Sequence, residues 1–474
     1  MLLYKNNVMS KQKLNRSLGL GLVLVVMISN IIGSGVYKKV APMAAELHSS
    51  GWVLIAWVLA GIISLFGALC NAEVAGLLAD TGGEYAYYKK IYNRFTAFIF
   101  GWSLFAVIQT AAISSLAYLF AQSLNSVLHL PPLAASLSGF NILGIFYPFA
   151  DFNIKITAII LVILLTGVNT RGIQAGAGVS TTILLLVFAG ILTIIIFGST
   201  SIHADFSRIT LQTSNNMPIT VSNMFTAMLA AFWAYQGWAV LGYIGGEIKD
   251  SKRTIPRGIV IGIFIVIGLY LLVNTTYLSL LPVQQLEDIY AGKNQIAAVE
   301  AVRNFWGAKG ALFIGILIII TTLGACNATI LASCRPIYAM AQEGLFFSAA
   351  SKLNSKQAPG NALWYQSIWA CLLVLSGSFD QLTDMIIFAV FIYYGATTAG
   401  VFILRKKMPH APRPYKVWGY PIVPAVVILF CGALVFNTIF SRPREAAIGL
   451  VLMLTGVPMY WWFKKKYVQS DVST

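Results

Sequence analysis

Residues 18–47 read LGLGLVLVVMISNIIGSGVYKKVAPMAAEL, an apolar run long enough to cross a bilayer but interrupted near its middle by Asn30-Ile31-Ile32-Gly33-Ser34-Gly35. A spanning helix needs about 20 apolar residues, and it must satisfy its own backbone because the hydrocarbon offers no water. Each glycine in a helix costs about 1 kcal/mol relative to alanine, so two of them around a serine favour unwinding at the bilayer centre. A second run, residues 219–247, is interrupted in a similar way. There Phe232-Trp233-Ala234-Tyr235-Gln236-Gly237-Trp238 sets an amide and a glycine among large aromatics, and Gly242, Gly245 and Gly246 follow.

Working outward, ten further apolar runs fall near residues 51–78, 96–125, 154–169, 173–199, 257–282, 308–342, 363–379, 381–404, 419–440 and 445–463. Together they predict an all-α integral membrane protein of twelve transmembrane helices with both ends on one side. The composition agrees: of 474 residues 58% are hydrophobic and only 10% charged, with a mean hydropathy of +0.77. A soluble domain carries about 25% charge, so a soluble enzyme is excluded. The net charge of +16 does not point to nucleic acid, because most of the 32 basic residues crowd into alternate loops. These include Lys89, Lys90, Arg94, Arg171, Arg253, Arg257, Lys352, residues 405–416 and Lys464–Lys466, and the positive-inside rule makes that side cytoplasmic. Cys70, Cys326, Cys334, Cys371 and Cys431 all sit in or beside apolar runs, with no disulfide framework or metal-ligand spacing and no sign of a cofactor.

The interrupted runs are the first and the sixth, which suggests two five-helix halves. An odd count inverts the second half relative to the first, so the two breaks would meet near the midplane, where transporters place their binding sites. The half-helix after Gly35 would aim free N–H groups and a positive dipole end at an anion. Unpaired carbonyls at Ile31, Trp233 and Gln236 would accept from an ammonium group. Donors for an anion beside acceptors for a cation fit an α-amino acid; the competing reading is that these glycines only let helices pack closely.

The motifs resemble the amino acid–polyamine–organocation (APC) superfamily, and within it the L-type amino acid transporter-like (LAT) family. The resemblance is carried by Asn30-Ile-Ile-Gly-Ser-Gly-Val-Tyr, by Asn71-Ala-Glu-Val with Thr81-Gly-Gly-Glu-Tyr-Ala-Tyr, and by Phe232-Trp-Ala-Tyr-Gln-Gly-Trp. Gly246-Glu-Ile-Lys-Asp, Arg253-Thr-Ile-Pro-Arg and Arg413-Pro-Tyr-Lys-Val-Trp-Gly-Tyr-Pro extend it, so that it spans residues 17 to about 425. It implies a LeuT-type fold: a cytoplasmic tail (1–17), two inverted repeats (18–218 and 219–404), two further helices (405–463) and a second tail (464–474). It also implies that Ser34 and Gly35 bind the substrate carboxylate and that the carbonyls of Ile31, Trp233 and Gln236 hold the amine. Gly33 and Gly237 complete the candidate substrate set, and Trp233 matches the family's aromatic gate. Glu247, followed by Lys249 and Lys252, is a candidate inner gate or simply a solvated acid in a basic loop.

Three departures matter. Many relatives carry a fifth-helix lysine in place of a structural sodium ion, and the matching position is Leu184. That leaves uncoupled exchange, sodium coupling through Thr321 and Thr322, or proton coupling elsewhere; the competing role for both threonines is a hydroxyl bond to their own helix. Residues 126–153 contain no cysteine for the disulfide that joins eukaryotic relatives to a heavy chain, so a bacterial inner-membrane protein without such a partner is expected. Lys38 and Lys39 stand where relatives mostly have uncharged residues, and at helical spacing they are expected to snorkel toward the outer vestibule.

A cationic substrate would want a carboxylate near the midplane, where an unpaired charge costs several kcal/mol. Glu46, Glu73, Glu247 and Glu343 all read as lying near helix ends, and Ile108 and Ala111 of the third run offer only an apolar side-chain pocket. A neutral amino acid of small to medium size is the expected substrate, with membrane lipid as the other partner. Catalysis finds no support, since His48, His129, His203 and His410 are scattered with no paired-acid or metal spacing. An amino acid sensor on the same frame stays open at this point, and a flux assay separates it from a transporter.

Overall fold

In lipid an apolar chain can satisfy its backbone only by helix or closed barrel, and here it chooses helix. The computed structural model describes residues 19–472 apart from 79–82, 134, 143–145, 172–175, 215–217, 240, 242–247, 293–294 and 356–357. Among the described residues no extended strand forms, and an isolated antiparallel bridge pairs Ile142 with Phe146. Among the described residues, eight helices are long and apolar enough to cross a membrane: Ser50–Leu78, Arg94–Leu128, Phe152–Asn169, Arg253–Leu280, Ala297–Gln342, Phe379–Lys407, Ile422–Ser441 and Pro443–Lys465. Further helices occupy the remaining apolar runs.

The first run is broken as expected. Helix α1 (Leu20–Ile31) stops, Ile32–Ser34 leaves the helical path, and α2 (Gly35–Lys38) passes through Lys39 into α3 (Val40–Leu47). Helices α4 (Ser50–Leu78), α5 (Gly83–Ile91) and α6 (Arg94–Ser103) follow, and a single wide turn at Leu104–Ile108 joins α6 to α7 (Gln109–Leu128). Then come α8 (Phe152–Asn169), α9 (Gly176–Ser199) and α10 (Val221–Tyr235). A capping box between Thr220 and Asn223 starts α10, and Gln236, extended at φ −68° and ψ 146°, ends it.

The second half contains α11 (Ser251–Leu280), α12 (Val283–Ala291), α13 (Ala297–Gln342), α14 (Gly360–Ser376), α15 (Phe379–Lys407), α16 (Ile422–Ser441), α17 (Pro443–Leu454) and α18 (Gly456–Val472). Helix α13 is two helices meeting at Gly307, whose φ of +64° only glycine adopts freely, so the run read as 308–342 begins where the chain turns. Helix α15 begins earlier than the apolar pattern suggests. Ser378 and Gln381 form its capping box, which draws Phe379 and Asp380 into the first turn.

Helix α11 packs on α4 and α1, and α10 packs on α3, α4 and α15, so the broken pair sits inside the bundle. Small residues mark the tightest crossings: a Cβ at Gly61 would stand 2.8 Å from Ile267 of α11. Glu73 lies near the end of a helix, as the sequence suggested, but it is not exposed there. It is buried within α4, where Arg405 grips it through two bonds of 2.7 and 2.8 Å, the Val417 N–H donates at 2.6 Å and Arg413 lies 3.5 Å away.

Candidate functional site

The two breaks touch. Gly35 lies so close to α10 that a Cβ there would stand 2.5 Å from the Ala234 Cβ and 2.6 Å from its Cα. Gly237, at φ +128°, leaves 2.4 Å between its own would-be Cβ and the Asn30 carbonyl oxygen. Each glycine thus faces the backbone of the other broken helix, which is why a side chain is missing at both positions.

Several predicted site residues gather around this contact. The Trp233 indole N–H donates to the Ser34 hydroxyl at 2.9 Å, both residues being buried. Ser34 has helical φ and ψ at the head of α2, and the Tyr37 N–H turns back to its carbonyl at 3.3 Å. The N–H groups of Gly35 and Val36 precede the first carbonyl an α-helix could offer them, so they are the donors available to an anion. A Cβ at Gly33 would meet nothing within 4 Å, so open space adjoins the same turn.

The expected acceptors are less free. The Tyr270 hydroxyl of α11 lies 3.0 Å from the Ile31 carbonyl and 2.8 Å from the Ala234 carbonyl, bridging the ends of both broken helices. The Gln236 N–H points to the Trp233 carbonyl at 3.4 Å. Each carbonyl oxygen has a second lone pair, so a substrate ammonium would join these bonds and not replace them. Tyr270 was not legible as a site residue; a lone tyrosine in an apolar run gives no signal of which helix ends it will reach. Tyr270→Phe would remove the single O–H that these two buried carbonyls share and should cost about 1–3 kcal/mol, read as a lower unfolding midpoint in detergent.

Ile108 and Ala111 are buried where the wide turn passes into α7. The Thr321 and Thr322 hydroxyls donate to the Leu317 and Ile318 carbonyls of their own helix, both at 2.7 Å. Glu247, with Gly242, Gly245 and Gly246, lies outside the described residues, as does the Leu184 side chain.

Lys38 and Lys39 do not snorkel. Lys39 Nζ is buried 2.7 Å from Asp380 Oδ1 and 2.7 Å from the Thr383 hydroxyl, and Lys38 Nζ donates to Gln122 Oε1 at 2.8 Å. The Phe379 ring lies 4.8 and 4.9 Å from the two ammonium groups and stands edge-on to Trp233, with centroids 6.2 Å apart. The sequence shows no carboxylate near the site because Asp380 falls at the border between the ninth and tenth apolar runs. Burying an ammonium without a partner is costlier than folding the chain around that pair.

A family model described as amino acid permease matches residues 18–463. The serine/threonine exchanger SteT of Bacillus subtilis is 30% identical over 457 residues, covering 96% of this chain and 98% of that protein. The mouse large neutral amino acids transporter small subunit 2 is 29% identical, with 94% of this chain and 81% of that protein covered. The rat b(0,+)-type amino acid transporter 1 is 26% identical, with 95% and 88% covered. With a broken-helix pair at its centre, membrane-length helices throughout and similarity running from end to end, the chain belongs to the amino acid permease family of the APC superfamily, as a LAT-like member whose relatives are transporters and not enzymes.

Proposed function

We propose that the protein moves neutral amino acids across a bacterial inner membrane by alternating access, most simply as an exchanger, through twelve spans arranged as two inverted five-helix halves and two further helices. Both termini are cytoplasmic in this reading, and the α2–α3 end of the site faces outward. The observation that carries the proposal is the reciprocal contact of the two breaks, Gly35 on Ala234 and Gly237 on Asn30. It supports a site in which the α2 N–H groups and the Ser34 hydroxyl take the substrate carboxylate while the carbonyls of Ile31, Trp233 and Gln236 take the amine. The same site offers a charged side chain no free counter-ion among the described residues, since Asp380 is engaged by Lys39. The names of the relatives, a serine/threonine exchanger and a large neutral amino acids transporter, point the same way.

Exchange is favoured over sodium coupling by the threonine bonds to their own helix, and over proton coupling through a fifth-helix lysine by the leucine at position 184. Trp233, bonded to Ser34, is the gate on this reading, and Ile108 and Ala111 line the side-chain pocket. The test is uptake of labelled serine, alanine, leucine and arginine by proteoliposomes, loaded either empty or with unlabelled amino acid, with and without sodium or proton gradients. Neutral uptake that requires internal amino acid is expected. Arginine carried as well as serine would sink the neutral assignment, gradient-driven uptake into empty vesicles would replace exchange by symport, and binding without flux would make the protein a sensor.

A further inference from the structure

Two adjacent lysines buried in an apolar run have no place in a helix built only to span, and nothing in the amino acid site described above uses them. Their ammonium groups converge on one carboxylate and one ring: Lys39 is 2.7 Å and Lys38 3.8 Å from Asp380, and both stand over Phe379. Phe379 in turn meets Trp233 edge-on, and Trp233 is hydrogen-bonded to Ser34. A continuous chain of contacts therefore runs from the amino acid site through two aromatic rings to a buried charge cluster. Both its ends on the first segment, Ser34 and Lys38–Lys39, lie within about one and a half turns of α2.

The cluster has a second layer. Lys39 and Asp380 share with Glu46, Tyr290, Asp384 and Arg442 the lining of a small polar cleft. Arg442 lies 3.4 Å from Asp384 and is also bonded to Glu46. Lys38, Lys39 and Arg442 thus face Glu46, Asp380 and Asp384, three cations against three carboxylates. A charge-balanced plug of this kind is tolerated in a dry interior only while its members remain paired. Once α2 moves away from α15 every member needs water, so opening this contact and hydrating the vestibule are one event.

We propose that Lys38, Lys39, Phe379 and Asp380 are gating residues of the transport cycle, forming the outer closure over the amino acid site that must separate each time the site faces outward. The proposal rests on the transport reading and its orientation. It differs from the Trp233 gate in being electrostatic, and it ties α2 to α15 where Trp233 ties α10 to Ser34.

The test places a reporter cysteine at Ser34 and measures its labelling from outside intact cells by a membrane-impermeant maleimide, with the protein lacking the reporter as background for the five native cysteines. Asp380→Asn keeps an acceptor for Lys39 but removes the charge, Lys39→Met/Asp380→Leu removes both partners and leaves no orphan, and Lys39→Arg preserves the pair. Labelling about tenfold faster than in the reporter parent is expected for the first two and a rate near parental for the third, the mark of a closed state losing population. In proteins without the reporter, the first two should also lower maximal exchange several-fold. Unchanged labelling in Asp380→Asn or in the double variant, with a parental size-exclusion profile, overturns the closure. Were the parent to bind amino acid without carrying it while labelling still rose, the closure would stand and the transport reading would fall.

Discussion

Gly237→Ala is expected to reduce amino acid exchange by more than tenfold, and Gly35→Val to abolish it. At Gly237 two costs add. A side chain at φ +128° occupies a region essentially reserved for glycine, a strain of about 1–3 kcal/mol. Its Cβ would also lie 2.4 Å from a main-chain oxygen, and Asn30 cannot retreat without displacing the end of α1. At Gly35 the obstacle is Ala234, whose Cα would stand 2.6 Å from a Cβ, so the added branches of valine would force the two broken helices apart. Separating them removes the shared site, and a loss of about 1.4 kcal/mol is already tenfold in rate. Gly268→Ala is the control. It lies inside α11 with nothing within 4 Å of the added Cβ, and exchange should stay near parental with stability unchanged or raised by up to about 1 kcal/mol. Exchange in proteoliposomes, normalised to reconstituted protein, reads all three; a parental rate in Gly237→Ala would mean that the contact of the two breaks is not part of the working site.

Glu73→Ala should be the most destabilising single change at the opposite end of the bundle, costing about 3–5 kcal/mol. The carboxylate is 3% exposed and accepts from Arg405 and from the Val417 N–H, with Arg413 alongside. Removing it leaves the buried Arg413 and half-buried Arg405 with no counter-ion and releases the segment between α15 and α16. Arg413 also donates to the Leu404 and Met408 carbonyls, both at 2.9 Å, so the guanidinium holds the end of α15 in place. Since α15 carries Asp380 at its other end, loosening this anchor should reach the gate as well. Arg303→Ala, which breaks only a partly exposed pair with Glu300, should change stability by less than about 0.5 kcal/mol. Unfolding midpoints in detergent distinguish the two; equal shifts would show that the Glu73 cluster is solvated and not structural.

The legible part of the site was local in sequence. Gly33-Ser34-Gly35 and Gln236-Gly237 announce helix breaks because glycine and a polar amide are poor company for a lipid-spanning helix, and both breaks occur where they were read. The helix reading faltered where pattern and cap disagreed. Phe379 read as the end of the ninth run and Asp380 as the border before the tenth, yet Ser378 and Gln381 carry the capping box that starts a helix there. Glu73 read only as an acid near a helix end, but its partners lie more than 300 residues away, at the end of α15 and in the loop after it, where basic charge looked like ordinary positive-inside bias.

What the amino-acid sequence by itself determined is therefore the membrane class, the helical segments, the two breaks and the family, because each depends on apolar run length, on glycine in a helix or on motifs contiguous in the chain. What only the tertiary structure decided is who meets whom. Ser34 pairs with Trp233, Tyr270 bridges the ends of both broken helices, and Lys39 finds Asp380 across 341 positions. Such partners are chosen by the cost of leaving a buried donor, acceptor or charge unpaired, and that cost depends on which helices share an interior. Periodicity and composition do not carry that information; packing does.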